Sequence, residues 1–202
     1  YSSINCTGCE SCVNVCPINC IVFEQNDEGF FYPHIDEGKC IHCGKCARAC
    51  PSLVKKEECK EQNTPEAYAI INNDLEQRKS SSSGGVFVLL AKRILGHQGV
   101  VFGAAFSDDC KSVEHIAVTD EKELHRLQGS KYVQSRIGKA YSEAEQHLKM
   151  GREVLFTGTP CQISGLLAYL GKEYDNLFTQ DFICHGVASP GLFRKYRDYI
   201  SK

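Results

Sequence analysis

The sequence predicts a small α+β domain followed by an α/β domain with a mixed, largely parallel sheet, incomplete at its C-terminus. Three observations predict it. Two matching cysteine runs fill the first 51 residues, a charged and polar stretch follows at 54–66, and from Ala67 short apolar runs alternate with helix-period segments. The expected boundaries are 1–58 for the first domain, 59–66 for a linker and 67–202 for the second domain.

In the first domain, Cys6, Cys9 and Cys12 precede Cys16-Pro17, and Cys40, Cys43 and Cys46 precede Cys50-Pro51. Each run reads C-x2-C-x2-C-x3-C-P, the bacterial ferredoxin pattern for a cubane [4Fe–4S] cluster. Three thiolates two residues apart let a tight loop wrap one face of a cubane. The fourth Cys lies too far round to close on the same cluster, and in two-cluster proteins it ligates the other one. The assignment is therefore crossed: Cys6, Cys9, Cys12 and Cys50 for one cluster, Cys16, Cys40, Cys43 and Cys46 for the second. The proline after each fourth Cys fixes φ, lacks an N–H and turns the chain away. Zinc also accepts tetrahedral thiolate sites, but two complete copies with both prolines point to clusters. The domain is thus expected to be ferredoxin-like, with two [4Fe–4S] clusters. Between the runs, Ile18–Phe23 and Phe30–Ile35 flank the turn-rich Gln25–Gly29 and predict a β-hairpin. So small a domain buries little apolar surface, and the clusters are expected to supply much of its folding energy.

Residues 54–66 read as a linker closed by Thr64-Pro65, with Cys59 a bystander. After it, Ala67–Asn72 predicts a strand, and Gly84–Leu95 a helix with Val86, Leu89, Leu90 and Ile94 on one side. Val100–Phe106 and Val113–Val118 predict two strands joined by a polar turn at Ser107–Asp109. A short helix at Lys122–Leu127 and an extended piece at Lys131–Ser135 come next. Gly138–Met150 predicts a helix, Val154–Thr157 a strand, Cys161–Leu170 a helix and Phe178–Cys184 a last strand. Ser189-Pro190 caps the final helix.

Composition narrows the function. The formal charge of −2, with no basic tail or arginine-rich face, gives no sign of nucleic-acid binding. Ligating thiolates and clusters would make the loaded protein more acidic than that count. No apolar span is long enough to cross a membrane and no signal peptide is recognisable. The two runs take eight of the thirteen cysteines, and oxidant-sensitive clusters predict a reducing cytoplasm rather than a disulfide framework. The only Met is Met150, and the final helix stops at Lys202 with an apolar face at Leu192, Phe193, Tyr196, Tyr199 and Ile200. Both ends predict a piece of a longer protein.

Three further segments carry chemistry. Ser80–Gly85 leads from a loop into an apolar helix, where hydroxyls, glycines and unpaired helix N–H groups suit phosphate; a flexible loop with a serine N-cap is the alternative. Gly158–Gln162 opens a helix directly after a strand, so Cys161 feels the helix dipole and could be a nucleophile, a cluster ligand or a small residue near a cofactor. Cys184-His185-Gly186 lies at another strand terminus. In open α/β sheets ligands bind at these carboxyl ends, although free cysteines are often simply core. Cys184 and His185, adjacent on a strand, would point to opposite faces and form no dyad. Cys20 and Cys110 read as bystanders. Gly129–Ser135 is dense in hydrogen-bonding groups, and by pattern alone its Lys and Tyr read as surface residues.

The double cysteine run, then SSSSGGVF, GSKYVQS, GTPCQISGL and DFICHGVASP, together resemble the coenzyme F420 hydrogenase and dehydrogenase beta-subunit family. The similarity covers essentially the whole chain, although family catalytic domains continue beyond the equivalent of Lys202. Members are flavoproteins that bind FAD and pass electrons between it and cubane clusters. The resemblance implies Ser82, Ser83, Gly84 and Gly85 near the FAD phosphates and Lys131, Tyr132 and Gln134 around the flavin. It also implies that Thr159, Cys161 and Cys184, in their loops, line the flavin or an additional cluster; Lys131 and Cys161 are the candidate catalytic residues. The expected function is an iron–sulfur flavoprotein oxidoreductase serving a redox partner protein or subunit and an organic hydride donor or acceptor. A flavin-free electron carrier docking to a partner enzyme, and a thiol enzyme using Cys161, are the alternatives.

Overall fold

The computed structural model describes residues 6–54 and 65–202. Cys59 and most of the expected linker lie outside the described residues. Each cysteine loop leads into a short helix, α1 (Ser11–Asn14) and α2 (Lys45–Arg48). The two loops share a backbone signature. Gly8 and Glu10 in the first, and His42 and Gly44 in the second, have φ of 69°, 58°, 52° and 70°. Left-handed residues at alternate positions curl successive N–H groups toward one concavity, which favours anionic sulfur. Between the loops, β1 (Ile21–Gln25) and β2 (Phe31–Ile35) pair antiparallel with Ile21 opposite Ile35, so the expected hairpin forms.

The second part contains α3 (Leu75–Lys79), α4 (Val86–Gly96), β3 (Val100–Phe106), β4 (Val113–Val118), a 3-10 helix (Glu121–Arg126), α5 (Ala140–Lys149), β5 (Val154–Thr157), α6 (Pro160–Leu170), β6 (Leu177–Gln180) and α7 (Pro190–Ile200). Its sheet runs β4-β3-β5-β6, with β3, β5 and β6 parallel and β4 antiparallel. This is the mixed, largely parallel sheet that the sequence predicts. Alternation along the strands divides the core. Val100, Phe102, Val154 and Phe156 meet Tyr141, Ala144 and Leu148 of α5 and Ile163, Leu166 and Leu170 of α6. On the other face, Val101, Ala105 and Leu155 meet Val88, Ala91 and Ile94 of α4 and Leu124 and Leu127.

Several local expectations change. Ala67–Asn72 is not a strand: Tyr68, Ile70 and Ile71 are exposed, and the Asn72 amide donates to Gly84 C=O at 2.7 Å. Among the described residues, its apolar side chains have no neighbouring strand to face. In α4 the buried stripe is Val88, Ala91 and Ile94, whereas Leu89 and Leu90 are 43% and 38% exposed; in a helix this apolar all round, periodicity alone does not choose the face. The short α3, capped by Asp74, was not expected; Asp74 accepts from the Glu76 and Gln77 amides. The last strand ends at Gln180, so Cys184 and His185 lie beyond it in an exposed segment, where strand alternation does not apply to them. In α7 the Ser189 cap is present, Phe193 stacks on Phe106 at 6.0 Å, and Leu192, Tyr196, Tyr199 and Ile200 remain exposed.

Several contacts among the described residues join the first cysteine loop and the hairpin to the sheet part. Glu10, 3% exposed, holds the Arg136 guanidinium at 2.5 Å and accepts from the Ile137 and Gly138 amides at 3.2 and 3.1 Å. The Arg136 guanidinium lies over Phe31 at 4.5 Å and Phe23 at 5.6 Å, so the hairpin closes around the pair. The Tyr141 hydroxyl shares its proton between Cys9 C=O at 2.9 Å and Gln162 C=O at 2.8 Å. At the hairpin turn, Ser189 Oγ donates to Glu28 C=O at 2.6 Å, and Gly29 and Gly191 pass backbone to backbone, leaving no room for a Cβ on either.

A buried polar chain fixes the start of α6. His115 Nε2–H donates to Thr157 C=O at 3.0 Å, which leaves Nδ1 to accept from Ser135 Oγ at 3.2 Å. Ser135 Oγ in turn accepts from Gln162 Nε2 at 2.8 Å, and Gln162 Oε1 accepts from the Thr159 amide at 3.0 Å. Burial lowers the His115 pKa to about 4 against the hydrogen bond to Thr157, so the ring is neutral at pH 7.

Two outcomes follow from these contacts. Glu10→Ala leaves a partly exposed guanidinium and two buried N–H groups without their carboxylate, a loss of about 2–3 kcal/mol after allowing for solvent at Arg136. Hydrogen exchange at the Ile137 and Gly138 amides should accelerate roughly 30- to 150-fold while β3 and β5 keep their protection; unchanged exchange at those two amides would remove Glu10 from this role. For His115, the unfolded chain binds a proton below about 6.5 that the folded ring refuses until about 4. The stability it contributes is therefore complete above pH 6.5 and declines by about 3 kcal/mol on acidification to pH 4. Denaturation curves at pH 7 and pH 5 should show this decline in the native chain and a smaller one in His115→Asn.

Candidate redox site

The crossed set of the first cluster shares one space. Cys6, Cys9, Cys12 and Cys50 line a cavity of about 60 Å³ together with Thr7, Glu10, Phe23, Pro33, Ser52 and Leu53. Cys6 and Cys9 come from the loop ahead of α1, Cys12 from α1 itself, and Cys50 from the end of the second run. Ser11 Oγ, fully buried at the start of α1, has no hydrogen-bond partner among the described residues, which leaves a donor for cluster sulfur. Burial raises the Cys6 and Cys9 thiols and pushes Cys12 up to about 12, so iron must displace protons from them. The donor set and the space fit a cubane cluster.

Three members of the second set pack into one cluster, which also includes Cys12 of the first set. Cys16, Cys40 and Cys46 pack around Cys20, Ile21 and Ile35, and Cys43 is exposed. The His42 amide donates to Cys40 Sγ at 3.4 Å, and the Cys20 amide to Cys16 Sγ at 3.4 Å. Such N–H···S bonds stabilise thiolate charge and tune a cluster's potential. Cys20 stands within this group, not apart from it.

The flavin candidates divide into two places. Two of the segments meet the first cysteine loop. Cys161 is half-buried at the start of α6, the helix that packs against α1. One turn on, a Cβ at Gly165 would sit 3.1 Å from Cys9 Sγ. Thr159 Oγ1 is 3.0 Å from Cys161 Sγ. Gln134 Oε1 accepts from the Phe31 amide at 3.2 Å, its amide group crowds Gly8, and its backbone N–H donates to Ala188 C=O at 3.0 Å. Tyr132 beside it is exposed.

Lys131 Nζ donates to the carbonyls of Arg126, Gln128 and Gly129 at 3.1, 2.8 and 3.2 Å. Burial lowers its pKa to about 8, and the three carbonyls tie it to the preceding turn. Ser82, Ser83, Gly84 and Gly85 stand on the opposite face of the sheet, at the start of α4. Ser82 and Ser83 are exposed, while Gly84 and Gly85 pack against Ile70 and Asn72. No side chain caps α4 at Gly85, so its first N–H groups suit an anion. Because α4 runs antiparallel to the strand it precedes, its N-terminus and that of α6 share the carboxyl edge of the sheet. Cys184 lies in the exposed segment past β6, where its Sγ accepts from the Gly186 amide at 3.4 Å. Cys110 is exposed in the β3–β4 turn. Sequence reasoning missed Glu10, Arg136, Ser135 and His115. Only Glu10 carried a signal, as an acidic residue inside a cluster loop.

Comparison with known proteins places this geometry. A 4Fe-4S dicluster domain matches residues 5–54 and a second dicluster description matches residues 32–83. The uncharacterized protein MJ1349 of Methanocaldococcus jannaschii is 27% identical over 88% of this chain and 56% of its own length. The coenzyme F420-dependent sulfite reductase of the same organism is 26% identical over 80% of this chain and 24% of its own length. The chain therefore spans about half of one curated relative and a quarter of the other. Among solved structures, the F420-reducing [NiFe] hydrogenase complex from Methanosarcina barkeri shares the fold with a TM-score of 0.51 at 18% identity, over 65% of this chain and 48% of that one. No helix among the described residues is long and apolar enough to cross a membrane. The N-terminal part thus carries a 4Fe-4S dicluster domain with two [4Fe–4S] clusters, and the chain is an iron–sulfur electron-transfer module similar over most of its length to MJ1349 and to the F420-dependent sulfite reductase.

Proposed function

We propose that the chain is part of an iron–sulfur flavoprotein oxidoreductase that passes electrons between FAD and its two [4Fe–4S] clusters. The wider reaction couples to coenzyme F420 or another organic hydride donor or acceptor and to a redox partner protein or subunit, in a reducing cytoplasm. One observation carries the reading: α6, one turn past Cys161, and the Gln134 segment both meet the first cysteine loop. The α/β part therefore offers the first cluster a direct neighbour at the carboxyl edge of its sheet, where cofactors bind in such folds.

When bound, FAD supplies the exchange between hydride and single electrons. The residues present fit it. The uncapped start of α4 with Ser82, Ser83, Gly84 and Gly85 suits a diphosphate. Lys131, by gripping three carbonyls, holds the turn that sets Tyr132 and Gln134. Thr159 and Gln162 fix the backbone around Cys161 through their mutual hydrogen bonding. Cys6, Cys9, Cys12 and Cys50 are assigned to the cluster nearest this part, and Cys16, Cys40, Cys43 and Cys46 to the outer one. We assign the units as 1–58, 59–66 and 67–202.

The ligand assignment predicts iron contents. The double variant Cys6→Ala/Cys50→Ala should keep about four irons, because both changes fall on one cluster. Cys6→Ala/Cys16→Ala should lose both clusters. The reverse pattern would mean uncrossed ligation. The cofactor assignment predicts about one FAD with about eight irons per chain on anaerobic purification. Ser82→Asp/Ser83→Asp should lower the FAD content at unchanged iron. Full iron without flavin, in both this chain and one extended to the relatives' length, would replace the reading with a flavin-free carrier.

A further inference from the structure

Cys20 belongs to neither cysteine run, yet the fold puts it inside the second ligand group. It is 4% exposed and packs with Cys16, Cys40 and Cys46, and with Cys12 of the first set, among Val13, Ile21 and Ile35. Its Sγ stands 3.5 Å from Cys16 Sγ, within hydrogen-bonding reach for sulfur, and its own amide donates to that same sulfur at 3.4 Å. Two donors of one residue thus converge on one ligand. Val13, Ile21 and Ile35 carry no side-chain acceptor, so the nearby sulfurs are the available partners for the S–H. A thiolate bound to iron is an acceptor, and Cys20, outside the ligand set, keeps its proton.

We propose that Cys20 is a positioning residue of the second [4Fe–4S] cluster, donating an S–H···S hydrogen bond to the Cys16 thiolate and so raising that cluster's reduction potential. The inference rests on the assignment of Cys16 to the cluster held by Cys40, Cys43 and Cys46. A donor to a ligating sulfur draws charge from it, and the effect favours the reduced, more negative cluster. The low-dielectric surroundings strengthen the bond. Neither iron count nor fold depends on it, which separates this role from ligation.

The test is a potentiometric titration followed by electron paramagnetic resonance on the anaerobic holoprotein. Cys20→Ala should keep its iron and shift one of the two cluster potentials to more negative values. At a fixed potential the oxidised-to-reduced ratio of that cluster should rise about 2- to 10-fold. Cys20→Ser, whose hydroxyl also donates, should recover most of the shift. In a Cys43→Ala background, where only the first cluster remains, Cys20→Ala should shift nothing; a shift there would mean that the ligand assignment is wrong. Unmoved potentials in Cys20→Ala, or a Ser variant that behaves like Ala, would overturn the hydrogen bond. Loss of about half the iron in Cys20→Ala would make Cys20 a ligand and overturn its role as a donor.

Discussion

The carboxylate of Glu10 is the contact on which the arrangement of this protein turns. It sits between two thiolates of the first cysteine loop, in a left-handed conformation, and reaches out of that loop to Arg136 and two amides of the sheet part. A buried carboxylate needs several donors to offset its lost hydration, and here every donor comes from the other part of the chain. The first cluster loop is thereby fastened to the segment that follows Lys131–Ser135. Phe23 and Phe31 close over the guanidinium, so the hairpin takes its place from the same ion pair.

The first cysteine loop, the Gln134 segment and the start of α6 then lie near one junction. Tyr141 ties Cys9 to α5 and α6 through a shared hydrogen bond, and Gln134 braces the loop at Gly8 and Phe31. The polar chain from His115 through Ser135 to Gln162 holds the turn that carries Cys161. Burial of these groups in a low-dielectric setting makes each of them costly to break, and such networks are rigid when fully satisfied. For electron transfer that rigidity matters, because the protein's contribution is to hold its redox groups at fixed separations with fixed hydrogen bonds.

The two proposed ligand sets have different surroundings as a result. In the first, burial raises Cys6, Cys9 and Cys12, and the set lies against the α/β part. The second is edged by the exposed Cys43 and has Cys20 at its inner side. Burial and hydrogen bonding to sulfur are the main levers on cluster potential, so the near-repeat in sequence does not make two equivalent centres.

The sequence by itself determined the eight ligand candidates, the hairpin between them, the alternation of strands and helices after Ala67 and the Ser189-Pro190 cap. Those signals are local: ligand spacing, turn residues and period-2 or period-3.6 patterns are written within a few residues of one another. It did not determine that Ala67–Asn72 would lack a strand partner, or that α4 would bury Val88, Ala91 and Ile94, because a pairing edge and a helix's burying face are supplied by other elements. Glu10 and Arg136 are 126 positions apart, and Cys161 has no local feature that ties it to Cys9. Only the tertiary structure brought them together, because long-range packing and charge pairing leave no periodic trace in a single chain.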